Sequence, residues 1–229
     1  MRKGWVSVAL AAGMVVGAFV SAHASVIQVF NRSSLPTTFD WNSFGPAGTV
    51  ISTPESRPGG PGTVTVASSV GTMLIHQEGV DWHGNFAVGD SLLALADGDR
   101  SDSFIVSFSG APVFGLGTQI QPASGFFGSF TGIMELFSAS NTLLGEVTIA
   151  GNSTNAEDNS APFLGAMSTT PIDHADFLVA VGFPGFPTEG DLAINQLSLL
   201  AAVPEPATAL VLGTAILGLA ATRRQRSSK

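Results

Sequence analysis

The chain has 229 residues, including 27 Gly and 13 Pro, and it contains neither Cys nor Tyr. Without cysteine it can form no disulfide, no thiolate metal site and no thiol nucleophile. Charged residues make up 11%, which is less than half of the roughly 25% usual in soluble domains. Residues 25–202 carry three arginines, no lysine and sixteen acidic side chains, for a net charge of −13. That charge excludes nucleic acid as a partner, because it repels phosphate backbones.

The first 24 residues have the pattern of a signal peptide. Two basic residues precede an uncharged apolar stretch over residues 5–20, and small side chains follow at Ala22 and Ala24. We therefore predict cleavage by signal peptidase before Ser25. A permanent N-terminal anchor is the alternative, but the apolar stretch is shorter than the roughly 20 residues that a spanning helix needs.

The other end of the chain has the pattern of a membrane anchor. Residues 207–221 carry no charge and are rich in Leu, Ala and Gly, and Arg223, Arg224 and Arg226 follow them. This order predicts a single transmembrane helix with its basic end in the cytoplasm, and hence a domain outside it. At 1.5 Å per residue the stretch spans about 22 Å of a hydrocarbon core of about 30 Å, so the predicted anchor is marginal.

The tetrapeptide Val203-Pro204-Glu205-Pro206 stands just before this stretch. Its prolines lack backbone donors and resist helix formation, so we predict an extended segment that a processing enzyme can grip. Together with the apolar helix and the basic tail, it resembles the PEP-CTERM sorting signal. The resemblance covers residues 203–229, and an ordinary tail anchor is the alternative.

The resemblance implies an exported protein of Gram-negative bacteria that make extracellular polysaccharide. Its partners would be signal peptidase, an exosortase-type processing enzyme and the membrane. The precursor would be held in the inner membrane, and the product would reach the cell surface or the extracellular matrix.

The middle of the chain, residues 25–202, shows the alternation of apolar and polar residues that is typical of β-strands. Phe104, Val106 and Phe108 alternate in this way, and residues 130–136 do so again. Further short runs occupy residues 26–30, 63–66, 73–76, 113–121, 143–150, 177–182 and 192–199. We predict an all-β domain of nine or ten strands, an antiparallel sandwich of the jelly-roll kind, with a surface loop at residues 54–62.

Four segments of this domain resemble the β-rich bodies of PEP-CTERM proteins. They are residues 82–86, 115–120, 161–165 and 193–197. The resemblance implies the same fold class and no particular activity.

One acidic turn is a candidate calcium site. Asp97, Asp99 and Asp102 can supply oxygen ligands, although Asp102 stands where an EF-hand loop requires glycine and Phe108 where it requires glutamate. A solvated hairpin turn is the alternative. Residues 152–159 form a second acidic loop, for which the pattern favours calcium binding less strongly. We expect no other cofactor.

The sequence contains no catalytic motif. His76, His83 and His174 lie beside acids, and His76 shares a predicted strand face with Glu78. The Asp-His-x-Asp sequence around His174 has no diagnostic spacing either, and such pairs are commonly surface hydrogen bonds. We assign no catalytic residue.

Trp41 and Trp82 are candidates for contact with sugar rings, because polar residues flank both. Burial in the core is the alternative. Three functions follow: a structural protein of the exopolysaccharide layer, a carbohydrate-binding module or a secreted hydrolase. A binding module predicts an exposed tryptophan, a hydrolase predicts a cleft with paired acids or a His–acid pair, and a structural protein predicts no convergent pocket.

Overall fold

The computed structural model describes residues 25–68, 72–95, 103–122, 126–183, 186–189 and 192–201, with the backbone alone at residues 182–183 and 186–189. The predicted signal peptide before Ser25, the predicted anchor and sorting segment, and the calcium candidates Asp97, Asp99 and Asp102 lie outside these residues.

The described residues form sixteen strands and two single-turn 3-10 helices, at Arg32–Ser34 and Trp41–Ser43. In chain order the strands are β1 (Val26–Val29), β2 (Thr37–Phe39), β3 (Val50–Ile51), β4 (Glu55–Gly59), β5 (Gly62–Ser68), β6 (Met73–Gln77), β7 (Ser91–Leu95), β8 (Phe104–Gly110), β9 (Val113–Pro122), β10 (Gly128–Phe137), β11 (Leu143–Ser153), β12 (Phe163–Ile172), β13 (His174–Phe183), β14 (Phe186–Glu189), β15 (Leu192–Ile194) and β16 (Leu197–Ala201). None of the described helices is long and apolar enough to cross a membrane.

The strands form two antiparallel sheets. The first has the order β1-β12-β9-β15-β7-β6-β3, with β16 paired to both β9 and β2. The second has the order β11-β10-β13-β8-β5-β4, with β14 paired to β13. The prediction of an all-β domain with antiparallel pairing is confirmed.

One hydrophobic core joins the two sheets. Leu116 and Ile120 of the first sheet belong to the same buried cluster as Val106, Met134 and Phe177 of the second. Val106 of β8 and Met134 of β10 lie at buried positions that alternate with less buried ones, as the sequence predicts for strands with one face on the core. The arrangement is that of a β-sandwich.

The prediction of a surface loop at residues 54–62 is wrong, because β4 occupies most of this segment. Pro58 lies within β4, which is the terminal strand of the second sheet's order. A strand with one free edge tolerates proline, since the missing backbone donor can face away from its neighbour.

A second cluster lies on the outer face of the first sheet. Residues 78–90 and 154–161, which we call the loop layer, cover this face, and Trp82 and Phe86 pack there against Leu92 and Ala94 of β7. The intervening Leu93 of β7 faces the main core. Because both of its faces are covered, β7 is buried along its whole length. Among the described residues, the loop layer has the most extensive network of side-chain hydrogen bonds, and it is therefore the candidate site.

Candidate functional site in the loop layer

Asn85 joins the two segments of the loop layer. Its Nδ2 donates hydrogen bonds to Thr154 Oγ1 at 2.6 Å and Ser160 Oγ at 2.9 Å, and its Oδ1 accepts one from the Thr154 backbone N–H at 2.6 Å. The backbone N–H of Asn85 donates to Gln121 Oε1 of β9 at 2.7 Å. One buried side chain therefore ties both segments to each other and to the sheet beneath.

A chain of polar side chains lies where the loop layer meets the first sheet. Asn195 Nδ2 donates to Asp90 Oδ2 at 2.5 Å and to Gln119 Oε1 at 3.0 Å. The same Gln119 oxygen accepts from Arg32 Nη2 at 2.5 Å. Burial lowers the pKa of Arg32, and the charge of Asp90 offsets part of that effect. These groups satisfy one another, so the base of the layer is preorganised.

His83 and Glu157 form the exposed crest of the loop layer, and each comes from a different segment. His83 Nδ1 donates to Glu157 Oε1 at 2.6 Å, and the two side chains are 57% and 31% exposed. The hydrogen bond to Glu157 raises the pKa of His83. Glu157 has a positive φ of 52°, and its backbone N–H donates to the Gly84 carbonyl at 2.7 Å. The crest therefore presents a fixed imidazole and carboxylate to solvent.

Glu78 lies at the start of the layer and is fully buried. Its Oε1 accepts a hydrogen bond from the Gly84 N–H at 2.6 Å, and its Oε2 has no partner among the described residues. Burial, with smaller contributions from Glu157 and Asp90, raises the pKa of Glu78 to about 7. A carboxyl group with such a pKa suits general-acid chemistry, but the side chain of Glu78 is fully buried and offers no surface to solvent.

The structure corrects the expectation that Trp41 or Trp82 is exposed. Trp41 is fully buried, with Nε1 donating to the Asn195 carbonyl at 2.8 Å, and Trp82 is 4% exposed within the second cluster. The polar neighbours that suggested exposure have local roles: Asp40 Oδ1 caps the 3-10 helix by accepting from the Asn42 N–H at 2.8 Å. Neither indole presents a face to a sugar.

The remaining histidines form ordinary acid pairs. His76 Nδ1 lies 3.2 Å from Asp81 Oδ2, so its charged neighbour is Asp81 rather than the predicted Glu78. His174 Nδ1 lies 3.2 Å from Asp173 Oδ2, and its ring stacks on Phe137 with centroids 4.8 Å apart. The sequence contains no serine-nucleophile motif that could use one of these pairs as its base.

Three acids line up across the outer face of the second sheet, which local patterns could not predict. Glu135 of β10 lies directly opposite Glu146 of β11 on one side and Asp176 of β13 on the other. Burial, and then these two charges, raise the pKa of Glu135. The described residues contain no cluster of three or more His, Cys, Asp or Glu arranged to hold a metal ion. Calcium binding at Asp97, Asp99 and Asp102 stays a prediction.

No protein-family model and no curated protein sequence matches this chain. Solved structures match at low identity. A DUF4465 family protein from Bacteroides caccae is 11% identical, with a TM-score of 0.43, over 72% of this chain and 98% of that chain. TmCBM61, solved in complex with β-1,4-galactotriose, is 14% identical, with a TM-score of 0.30, over 60% and 88%. An isomalto-dextranase from Arthrobacter globiformis is 14% identical, with a TM-score of 0.33, over 77% and 34%. Similarities this distant carry no argument about function.

Proposed function

We propose that this chain is an exported surface protein, sorted through a PEP-CTERM signal, with a structural role in or near the exopolysaccharide layer. The observation that carries the proposal is the three-part order of residues 203–229: the tetrapeptide Val203-Pro204-Glu205-Pro206, the apolar residues 207–221, and the basic tail. The three parts would serve, in that order, for recognition by an enzyme, retention in the membrane, and orientation across it.

The described strands, from Val26 to Ala201, lie between the two predicted targeting segments. We also propose that the strands follow a jelly-roll order and that residues 207–221 form a membrane-spanning helix. The chain's repeated crossing between the two sheets supports the jelly-roll order.

Replacing Pro204, Glu205 and Pro206 with alanine tests the sorting role. The helix and the arginines remain, so a plain tail anchor predicts the same location for parent and variant. Sorting predicts that the variant stays in the membrane fraction as uncut precursor, while the parent reaches the surface. Replacing three residues elsewhere in the tail, such as Ser227, Ser228 and Lys229, provides the matched control. Identical fractionation of parent and alanine variant would reject the proposal.

Carbohydrate binding is a second candidate function, and the loop-layer crest is the observation that favours it. His83 and Glu157 offer a fixed donor and acceptor at the surface, the groups that recognise sugar hydroxyls. The charge of −13 over residues 25–202 favours neutral glycans over acidic ones. A glycan array with the purified protein tests this candidate. Binding that weakens in His83→Ala supports the crest, and binding that is unchanged in that variant excludes it.

A further inference from the structure

A pocket lies at one end of the sandwich, away from the loop layer. It opens between the sheets where three strand connections meet: the β8–β9 turn, the β10–β11 turn and the β12–β13 turn. The cavity measures about 240 Å³, which is below the roughly 300–1,000 Å³ of sites for drug-sized ligands, so it has room only for a small group. Its lining includes Phe108, Pro112, Ala139, Pro171, Ile172 and Asp173.

The walls of the pocket are apolar, with one charged group at the mouth. Phe108 and Ile172 extend the main core to the end of the sandwich. Pro112 and Pro171 stand exposed at the rim, and neither can offer a backbone N–H to a ligand. The side chain of Asp173 is 43% exposed, and one of its oxygens lies 3.2 Å from His174 Nδ1. Asp173 is the polar side chain of the pocket lining, and its carboxylate can accept hydrogen bonds from a ligand.

The pocket is held in shape by backbone hydrogen bonds. The Asp173 N–H donates to the Phe137 carbonyl at 2.8 Å, and the Phe108 N–H donates to the Asp173 carbonyl at 2.9 Å. The neighbouring turn is tied by the Ala111 N–H, which donates to the Pro61 carbonyl at 3.2 Å. A site that needs no rearrangement loses little entropy on binding.

We propose that this pocket binds the terminal residue of a neutral polysaccharide. A sugar ring has an apolar face, which suits Phe108 and the proline rings, and hydroxyl donors, which suit the carboxylate of Asp173. The acidic charge of the domain disfavours uronic or sulfated sugars. A hollow at the end of the sandwich takes the end of a chain, whereas the middle of a chain needs a groove open on both sides. The inference rests on the proposed place of the protein in the exopolysaccharide layer.

The test measures binding of neutral oligosaccharides, released from the exopolysaccharide of the producing cells, to protein purified from those cells. Ala139→Leu fills the mouth from an exposed turn, and Ala150→Leu makes the same change on the exposed face of β11 as a control. Asp173→Asn removes the acceptor charge, and Glu146→Gln removes one exposed charge as its control. Melting temperatures show that each variant is folded. The Ala139→Leu and Asp173→Asn variants should each weaken binding by about tenfold or more, with both controls unchanged.

Four results would overturn the inference. Oligosaccharide binding that is unaffected by Ala139→Leu places the sugar elsewhere, and its loss in His83→Ala alone places it at the loop-layer crest. Tetramethylammonium serves as a cation probe of the same pocket. If the parent binds no sugar but this cation shifts the NMR signals of Asp173, the pocket is a cation site. Absence of any binding leaves the pocket without the proposed ligand. Failure of the sorting proposal is a separate result, because it appears in cell fractionation and not in binding to purified protein.

Discussion

Asn85 and Thr154 lie on different segments of the loop layer and hold each other by two hydrogen bonds. The Asn85 amide donates to the Thr154 hydroxyl at 2.6 Å, and the Thr154 N–H donates back to the Asn85 carbonyl oxygen at 2.6 Å. A fully satisfied pair of this kind closes the layer over Trp82 and Phe86, so the second cluster depends on it.

Asn85→Ala should destabilise the domain by about 2–4 kcal/mol, because it removes several buried hydrogen bonds and leaves their partners unsatisfied. Denaturant unfolding monitored by tryptophan fluorescence measures the loss, since Trp82 lies under the layer. Asn155→Ala, at an exposed position of the same layer, is the control and should change stability by less than about 0.5 kcal/mol. An equal effect in both variants would show that Asn85 does not hold the layer.

Glu78 should make the stability depend on pH. Its pKa is about 7 in the folded protein against 4.5 for the free side chain, so the folded state binds the proton more tightly. The resulting stabilisation is fully present below about pH 4.5 and is lost as the pH rises through about 7. The loss is at most about 3 kcal/mol, from about 1.4 kcal/mol per pKa unit.

Denaturant unfolding at pH 4.5 and pH 8 measures this dependence. Glu78→Gln should reduce the stability difference between the two values, because its amide cannot ionise. His83 also has a raised pKa and contributes in the same direction, so the comparison is repeated in a His83→Ala background. If Glu78→Gln leaves the difference unchanged there, burial does not raise the pKa of Glu78.

The acid row on the second sheet should destabilise the domain at neutral pH. Glu135 lies directly opposite both Glu146 and Asp176, and like charges at such positions repel. Glu135→Gln should therefore stabilise the domain at pH 7 by about 0.5–1 kcal/mol. The gain should shrink at pH 4, where more of the acids are protonated. A loss of stability at pH 7 would mean that the charge of Glu135 is favourable in this row.

Alternating strands were predictable from the sequence because each buries one face. Residues 130–136 were predicted as a strand, and they lie within β10, which spans Gly128–Phe137 and alternates between buried and half-buried positions. The fully buried β7 was not predicted, since a strand covered on both faces does not alternate and the layer that covers it is distant in sequence.

The sites were less predictable than the strands. Polar neighbours suggested exposed tryptophans, but capping and turn formation account for that polarity and both rings are buried. The crest pair joins residues 74 positions apart, and the end pocket joins three turns. Both depend on strand register and on tertiary contacts, which no local pattern contains.

The most direct test of the central proposal is the intact mass of the protein from the membrane, surface and medium fractions of its native host. Sorting through Val203-Pro204-Glu205-Pro206 predicts that the surface protein begins at Ser25 and lacks the tail from Arg223 to Lys229, while the membrane fraction contains precursor that retains it. Finding the C-terminus at Lys229 in every fraction would contradict the sorting proposal, although a mass that begins at Ser25 would still support export.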